Sequence, residues 1–315
     1  MRALLAISVA CFVLCSGAVT ASGSDSDVVP AAAASAAGEP ATTQTYIFHE
    51  VSGSGGVPIN VVETGNPEGP PVVLLHGFSQ SYLSWLEQLD DPALADQLRL
   101  VAVDLRGHGA SGKPWDADAY AGYQPWADDI AAVLQTLEIE QPWLVGWSFG
   151  GYVALDFVRG HGEDAVAGVM LVASHGGLVP RPPGEPGEVR NDLLEAIENA
   201  RGFMALMNVE PVSQAAIDRG VFSHVMLPPY VRRAMTGKRL DNADLFPMPS
   251  LPIMMILGEG DLSLPVDNIR KALPAGADIE IVVYPGVGHS PFVEAPERFN
   301  ADLLGRVAGS EASTP

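Results

Sequence analysis

The sequence predicts an α/β fold: a mostly parallel, roughly eight-stranded sheet with helices on both faces and a helical cap inserted between late strands. Three observations predict it. Short runs rich in Val, Ile and Leu alternate with helix-length segments, the order that strand–helix–strand units generate. Most of these runs are apolar at every position, as strands covered on both faces must be. The rhythm then stops for about 75 residues, from Ser174 to Ser250. An insertion of that length inside a compact domain usually has a role, most often as a lid.

Taken in order, Tyr46 to Val51 and Val57 to Glu63 are β-rich and flank Ser52-Gly53-Ser54-Gly55-Gly56, a hairpin signal. Val72 to Leu75 reads as a buried strand, Ser81 to Leu98 as a helix and Leu100 to Val103 as a strand. Trp126 to Leu137 has helical periodicity. Trp143 to Val145 is a strand leading into a helix from Phe149 to about Arg159. Val166 to Ala173, Ile253 to Leu257 and Ile279 to Tyr284 complete the sheet. Inside the insertion, Gly177 to Gly187 is Pro/Gly-rich, and Asp192 to Met207 and Pro228 to Thr236 are helical. The domain is expected over 45–308, with the cap at about 175–250 and a disordered tail at 309–315.

The N-terminus carries an export pattern. Arg2 is a short positive region, Ala3 to Leu14 is apolar over secretory length, and Val19-Thr20-Ala21 is a small-x-small cleavage site. Residues 1–21 read as a signal peptide and 22–44 as a disordered linker, so the protein is expected to be secreted or periplasmic. Both cysteines, Cys11 and Cys15, fall in that leader, and the mature chain would have neither disulfide nor thiol nucleophile. No apolar run of spanning length follows, so no stable membrane insertion is expected after signal removal. The 315 residues are 47% apolar and carry a formal charge of −21. Such a surface repels phosphate backbones and excludes nucleic acid as a partner.

The strongest chemical signal is Gly146-Trp147-Ser148-Phe149-Gly150, between a strand and a helix. G-x-S-x-G in that context lifts a serine hydroxyl clear of the sheet, as a nucleophile requires. The same turn puts the Phe149 N–H at a helix N-terminus, where a developing oxyanion is stabilised. His76-Gly77-Phe78 ends an earlier strand, and the Phe78 N–H is the second oxyanion donor. Gly258-Glu259-Gly260-Asp261 offers the acid, Asp261 being favoured and Glu259 its rival. Gly286-Val287-Gly288-His289 offers the base. Asp104, Arg106 and His108, in a Gly-rich loop without a phosphate-binding pattern, read as structural. No metal ligand set and no cofactor motif is found.

His76-Gly77, Asp104-Leu105-Arg106-Gly107-His108-Gly109-x-Ser111, Gly146-x-Ser148-x-Gly150-Gly151, Gly258-x-x-Asp261 and Gly288-His289 occur in this order. Together they resemble the α/β-hydrolase superfamily, over about 46–306. The subgroup most resembled is capped, with a serine nucleophile, and holds esterases, haloperoxidase-like perhydrolases and carbon–carbon bond hydrolases. Ser148 departs from the Asp nucleophile of dehalogenases and epoxide hydrolases. The resemblance implies that Trp147, Phe78 and the cap methionines line an apolar acyl pocket. The methionines also fit ordinary helix packing; Arg232 and Arg233 could contact a substrate carboxylate, with solvated surface the favoured reading. The expected activity is cleavage of a neutral or apolar carboxylic ester of moderate length. The alternatives are a C–C hydrolase or perhydrolase on the same triad, or a ligand-binding or signalling protein with little turnover. Sequence alone leaves the oligomeric state open.

Overall fold

The parallel strands of the sheet feed two cores. The computed structural model describes residues 44–181, 193–236, 238, 240–247, 250–277 and 279–311. The predicted signal peptide, all but the last residue of the linker, most of the Pro/Gly stretch and residues 312–315 lie outside them. The strands are β1 (Ile47–Ser52), β2 (Pro58–Gly65), β3 (Pro71–Leu75), β4 (Arg99–Val103), β5 (Trp143–Trp147), β6 (Gly168–Val172), β7 (Ile253–Gly258) and β8 (Ile279–Tyr284). They form one sheet in the order β1-β2-β4-β3-β5-β6-β7-β8. β1 pairs antiparallel with β2, and β2 with β4; all later pairs are parallel. Alternate side chains point to opposite faces. Val73, Leu75, Val101, Leu144, Leu171 and Met255 join one buried cluster, and Val72, Leu74, Leu100, Val145, Met170 and Ile256 the other. The unbroken apolar runs thus reflect two covered faces.

The helices are α1 (Leu86–Leu89), α2 (Pro92–Gln97), α3 (Gln124–Thr136), α4 (Phe149–His161), α5 (Leu193–Met207), α6 (Gln214–Met226), α7 (Pro229–Met235), α8 (Val266–Ala272), α9 (Pro291–Glu294) and α10 (Pro296–Glu311). α5, α6 and α7 occupy the insertion between β6 and β7, where the cap was expected. The last helix runs to Glu311, three residues past the expected domain end.

Two expectations need correction. Ser81 to Leu98 is not one helix. It comprises a 3-10 turn at Tyr82–Trp85, α1 and α2. Asp91 accepts the Ala93 and Leu94 N–H groups at 2.9 Å and Pro92 follows, which starts a new helix at that point. α6 was missed, although Ser213 caps it by accepting the Ala216 N–H at 3.1 Å; its weak amphipathicity hid it.

The loop after β4 is held by charge. Arg106 and Asp129, both buried, form a bidentate pair at 2.6 and 2.7 Å. Arg106 also donates to the Ala119 and Ser54 carbonyls, and Asp129 accepts the Ser54 N–H. The guanidinium therefore ties α3 to the β1–β2 turn, the structural role expected of it. Removing one partner leaves a buried charge uncompensated. Asp129→Ala is therefore expected to cost about 3–5 kcal/mol of stability, read from the midpoint of a urea titration. A loss under about 1 kcal/mol would count against this reading.

Candidate active site

The turn at the end of β5 leaves room for no other sequence. Ser148 has φ 50° and ψ −110°, a conformation that costs an ordinary residue of order 1–3 kcal/mol. The surroundings hold it there: the Ser148 N–H donates to Val172 O at 2.9 Å, and Ser148 O accepts from Ser174 Oγ at 2.7 Å. Close approach explains the flanking glycines. A Cβ on Gly146 would lie 2.5 Å from the Gly150 backbone, and one on Gly150 would lie 2.1 Å from Leu75 O. Ser148 itself is part-exposed. Its side chain has no hydrogen-bond partner among the described residues.

The loop after β3 is clamped by His76. The Leu105 N–H donates to His76 Nε2 at 3.0 Å, so Nδ1 carries the proton and donates to Gly77 O at 2.8 Å. Complete burial keeps this imidazole neutral by lowering its pKa. Phe78 follows, its ring centroid 6.3 Å from that of Phe149 and 5.9 Å from that of His108. The Phe78 and Phe149 N–H groups have no acceptor among the described residues. Among the described residues, two backbone donors are thus without an acceptor, one in the loop after β3 and one at the start of α4.

Asp261 and His289 are brought together, from the ends of β7 and β8. Asp261 Oδ2 meets His289 Nδ1 at 2.6 Å, and both side chains are buried. Asp261 Oδ1 accepts the Ser263 N–H at 2.9 Å and the Ser263 hydroxyl at 2.6 Å. Burial would raise the carboxyl, but the bonds from His289 and Ser263 outweigh it and hold it below its usual range. Glu259, the rival, is exposed and takes the Gly286 N–H at 3.4 Å. Trp147 Nε1 donates to His289 O at 2.8 Å, which seats the histidine beside the residue preceding Ser148. No hydrogen bond joins Ser148 to the imidazole in the free chain.

Sequence reasoning missed how the cap and Glu294 hold the histidine loop. The His289 N–H donates to Met207 O, at the end of α5, at 2.6 Å. Glu294 accepts the Gly288 and Ser290 N–H groups from that loop and the Val209 and Glu210 N–H groups from the cap. Its place five residues after the histidine was the available signal. A cavity of about 20 Å³, room for about one water, lies between cap and sheet, lined by Gln80, Trp147, Met204, Asn208, Gly220 and Phe292. Met204 and Trp147 line this one cavity, whereas Met235 packs into the core.

Arg232 departs from the expected solvated surface. It is half-buried on α7, with Nη1 donating to Ser79 Oγ at 2.9 Å and its guanidinium over the Phe78 ring at 5.2 Å. Arg233 is exposed, as expected. Among the described residues, no three of His, Cys, Asp and Glu converge as they would around a metal ion. No helix among them is long and apolar enough to cross a membrane.

The sequence profile of the alpha/beta hydrolase family matches residues 72–302. A solved esterase from a Rhodococcus species superimposes with a TM-score of 0.73 at 31% identity, covering 83% of this chain and 98% of that one. A bifunctional esterase/perhydrolase of Acinetobacter calcoaceticus is 27% identical over 79% of this chain and 95% of its own length. A 2-hydroxymuconate semialdehyde hydrolase from a Pseudomonas species is 30% identical over 79% of this chain and 90% of its own.

Proposed function

The chain belongs to the alpha/beta hydrolase family, and from that premise we propose that it cleaves small carboxylic esters through a covalent acyl-serine on Ser148. The observation that carries the reading is the 2.6 Å Asp261–His289 pair set beside the strained Ser148 turn. Asp261 fixes the imidazole with its proton on Nδ1, leaving Nε2 to take the proton of Ser148. Ser148 Oγ attacks the ester carbonyl, and the Phe78 and Phe149 N–H groups receive the oxyanion. The imidazolium returns its proton to the departing alcohol. Water then repeats the sequence on the acyl-enzyme and frees the acid. The Ser148–His289 contact forms as substrate binds, since such bonds are commonly loose in free enzymes.

Turnover of p-nitrophenyl esters from acetate to decanoate tests the reading. Absence of turnover at every chain length would sink the ester reading. The Acinetobacter relative's name favours one second reading, perhydrolysis, in which peroxide replaces water on the same acyl-enzyme. Peracid formation from acetate and hydrogen peroxide would reveal it.

A further inference from the structure

We propose that Arg232 forms an anion subsite beside the oxyanion loop, so that the preferred ester carries a free carboxylate as well as its scissile bond. This rests on the ester reading and names its substrate class.

Among the described residues the guanidinium is a charge without a counter-charge and meets no carboxylate. Its partners are the Ser79 hydroxyl at 2.9 Å, the His224 carbonyl at 3.4 Å and the face of Phe78. Burial alone pulls it down to about 10. Two imidazoles stand in its field. Burial, reinforced by Arg232, lowers His224 to about 4, and burial with neighbouring positive groups holds His108 well below its usual value. Both are therefore neutral and offer the cation no compensation. His224 also has a buried ring nitrogen without a partner among the described residues, Nδ1. Buried polar atoms left this way are uncommon and each costs about 1–3 kcal/mol. A cation that meets no anion among the described residues, with the unsatisfied His224 nitrogen in its field, is a polar cluster lacking a component.

Its position indicates what the missing component belongs to. Ser79, which Arg232 holds, directly follows Phe78 and sits at φ 62°. The guanidinium thus rests on the loop whose N–H faces the reacting carbonyl. A carboxylate on the substrate would reach it with charge-assisted, bidentate bonds. The net charge of −21 opposes such substrates at long range. Charges beyond a Debye length of about 8–10 Å are largely screened, however, so the contacting guanidinium governs binding.

Monoethyl glutarate and ethyl valerate form a test pair of similar shape that differs in one carboxylate, and both can be followed by pH-stat titration. The ratio of their kcat/KM values is expected to fall about ten- to hundred-fold in Arg232→Gln. The loss should lie in the KM for glutarate, with Arg232→Lys keeping part of it. An unchanged ratio, with both substrates slowed alike, would mean that Arg232 only supports the oxyanion loop and would overturn the proposal. A wild type active on ethyl valerate and inert on monoethyl glutarate would overturn it too. Should the wild type cleave neither, the ester reading fails, and the subsite is judged by calorimetry. Glutarate heat seen with Ser148→Ala and lost in Ser148→Ala/Arg232→Gln supports it; no heat at millimolar glutarate overturns it.

Discussion

Ser148→Ala is expected to lower ester turnover by about 10³-fold or more while leaving the unfolding midpoint where it was. The separation follows from what Ser148 contributes. Its backbone is fixed from both sides, by Val172 O and by Ser174 Oγ. Neither bond involves the hydroxyl, which has no partner of its own among the described residues. Alanine keeps the Cβ and hence the strain at φ 50°, so folding sees no change. Chemistry loses its only attacking oxygen at this turn. Ser148→Gly should separate the two further. Relief of about 1–3 kcal/mol of backbone strain exceeds the roughly 1 kcal/mol that glycine loses in chain entropy. That variant should melt at or above the alanine variant and be equally inactive. The measurement is p-nitrophenyl acetate hydrolysis beside a thermal melt of each protein. Activity surviving in Ser148→Ala would remove the acyl-serine reading, whatever the melts show.

Asp261→Asn is expected to lower kcat by about 10⁴-fold with little change in KM. The substitution is nearly silent in shape. Asparagine keeps the Oδ1 that accepts from Ser263 N–H and Oγ. Only the oxygen facing His289 is exchanged for an amide NH₂. A donor there favours the imidazole tautomer with Nδ1 unprotonated and the proton on Nε2, where it can no longer accept from Ser148. In the parent the carboxyl lies below its usual range, so it is ionised at every pH where esterase rates are measured. The variant should therefore lower the rate across that whole range. Steady-state kinetics over pH 6–9 checks this, and a loss below about tenfold would assign the carboxylate a structural role. The exposed Glu259 supplies the comparison: Glu259→Gln should cost little, since its nearest backbone bond is the 3.4 Å contact from Gly286.

Much of the sheet was legible because a strand covered on both faces must be apolar throughout, and β3, β5, β6 and β7 are. The Ser148 turn was legible for a local reason. Its glycines answer to atoms that the same strand–turn–helix unit and its neighbouring strand always bring close. Asp261 and His289 could be picked as candidates because each follows a strand and a Gly-containing turn. Their sequence separation of 28, however, implies nothing about a 2.6 Å contact. The choice between Asp261 and Glu259 was tertiary: it depends on which carboxylate the β7 turn directs inward. The break at Asp91-Pro92 was written locally and could have been read. Arg232 could not. Adjacent arginines on a short helix look alike in sequence, and a rotation of about 100° per residue sets one over Phe78 and the other in water. The sequence by itself determined the sheet, the nucleophile turn and the list of candidate groups, because backbone pattern and glycine spacing are local constraints. Tertiary packing decided which carboxylate, which carbonyl and which arginine face the site, because those contacts join residues that only the folded chain brings within reach.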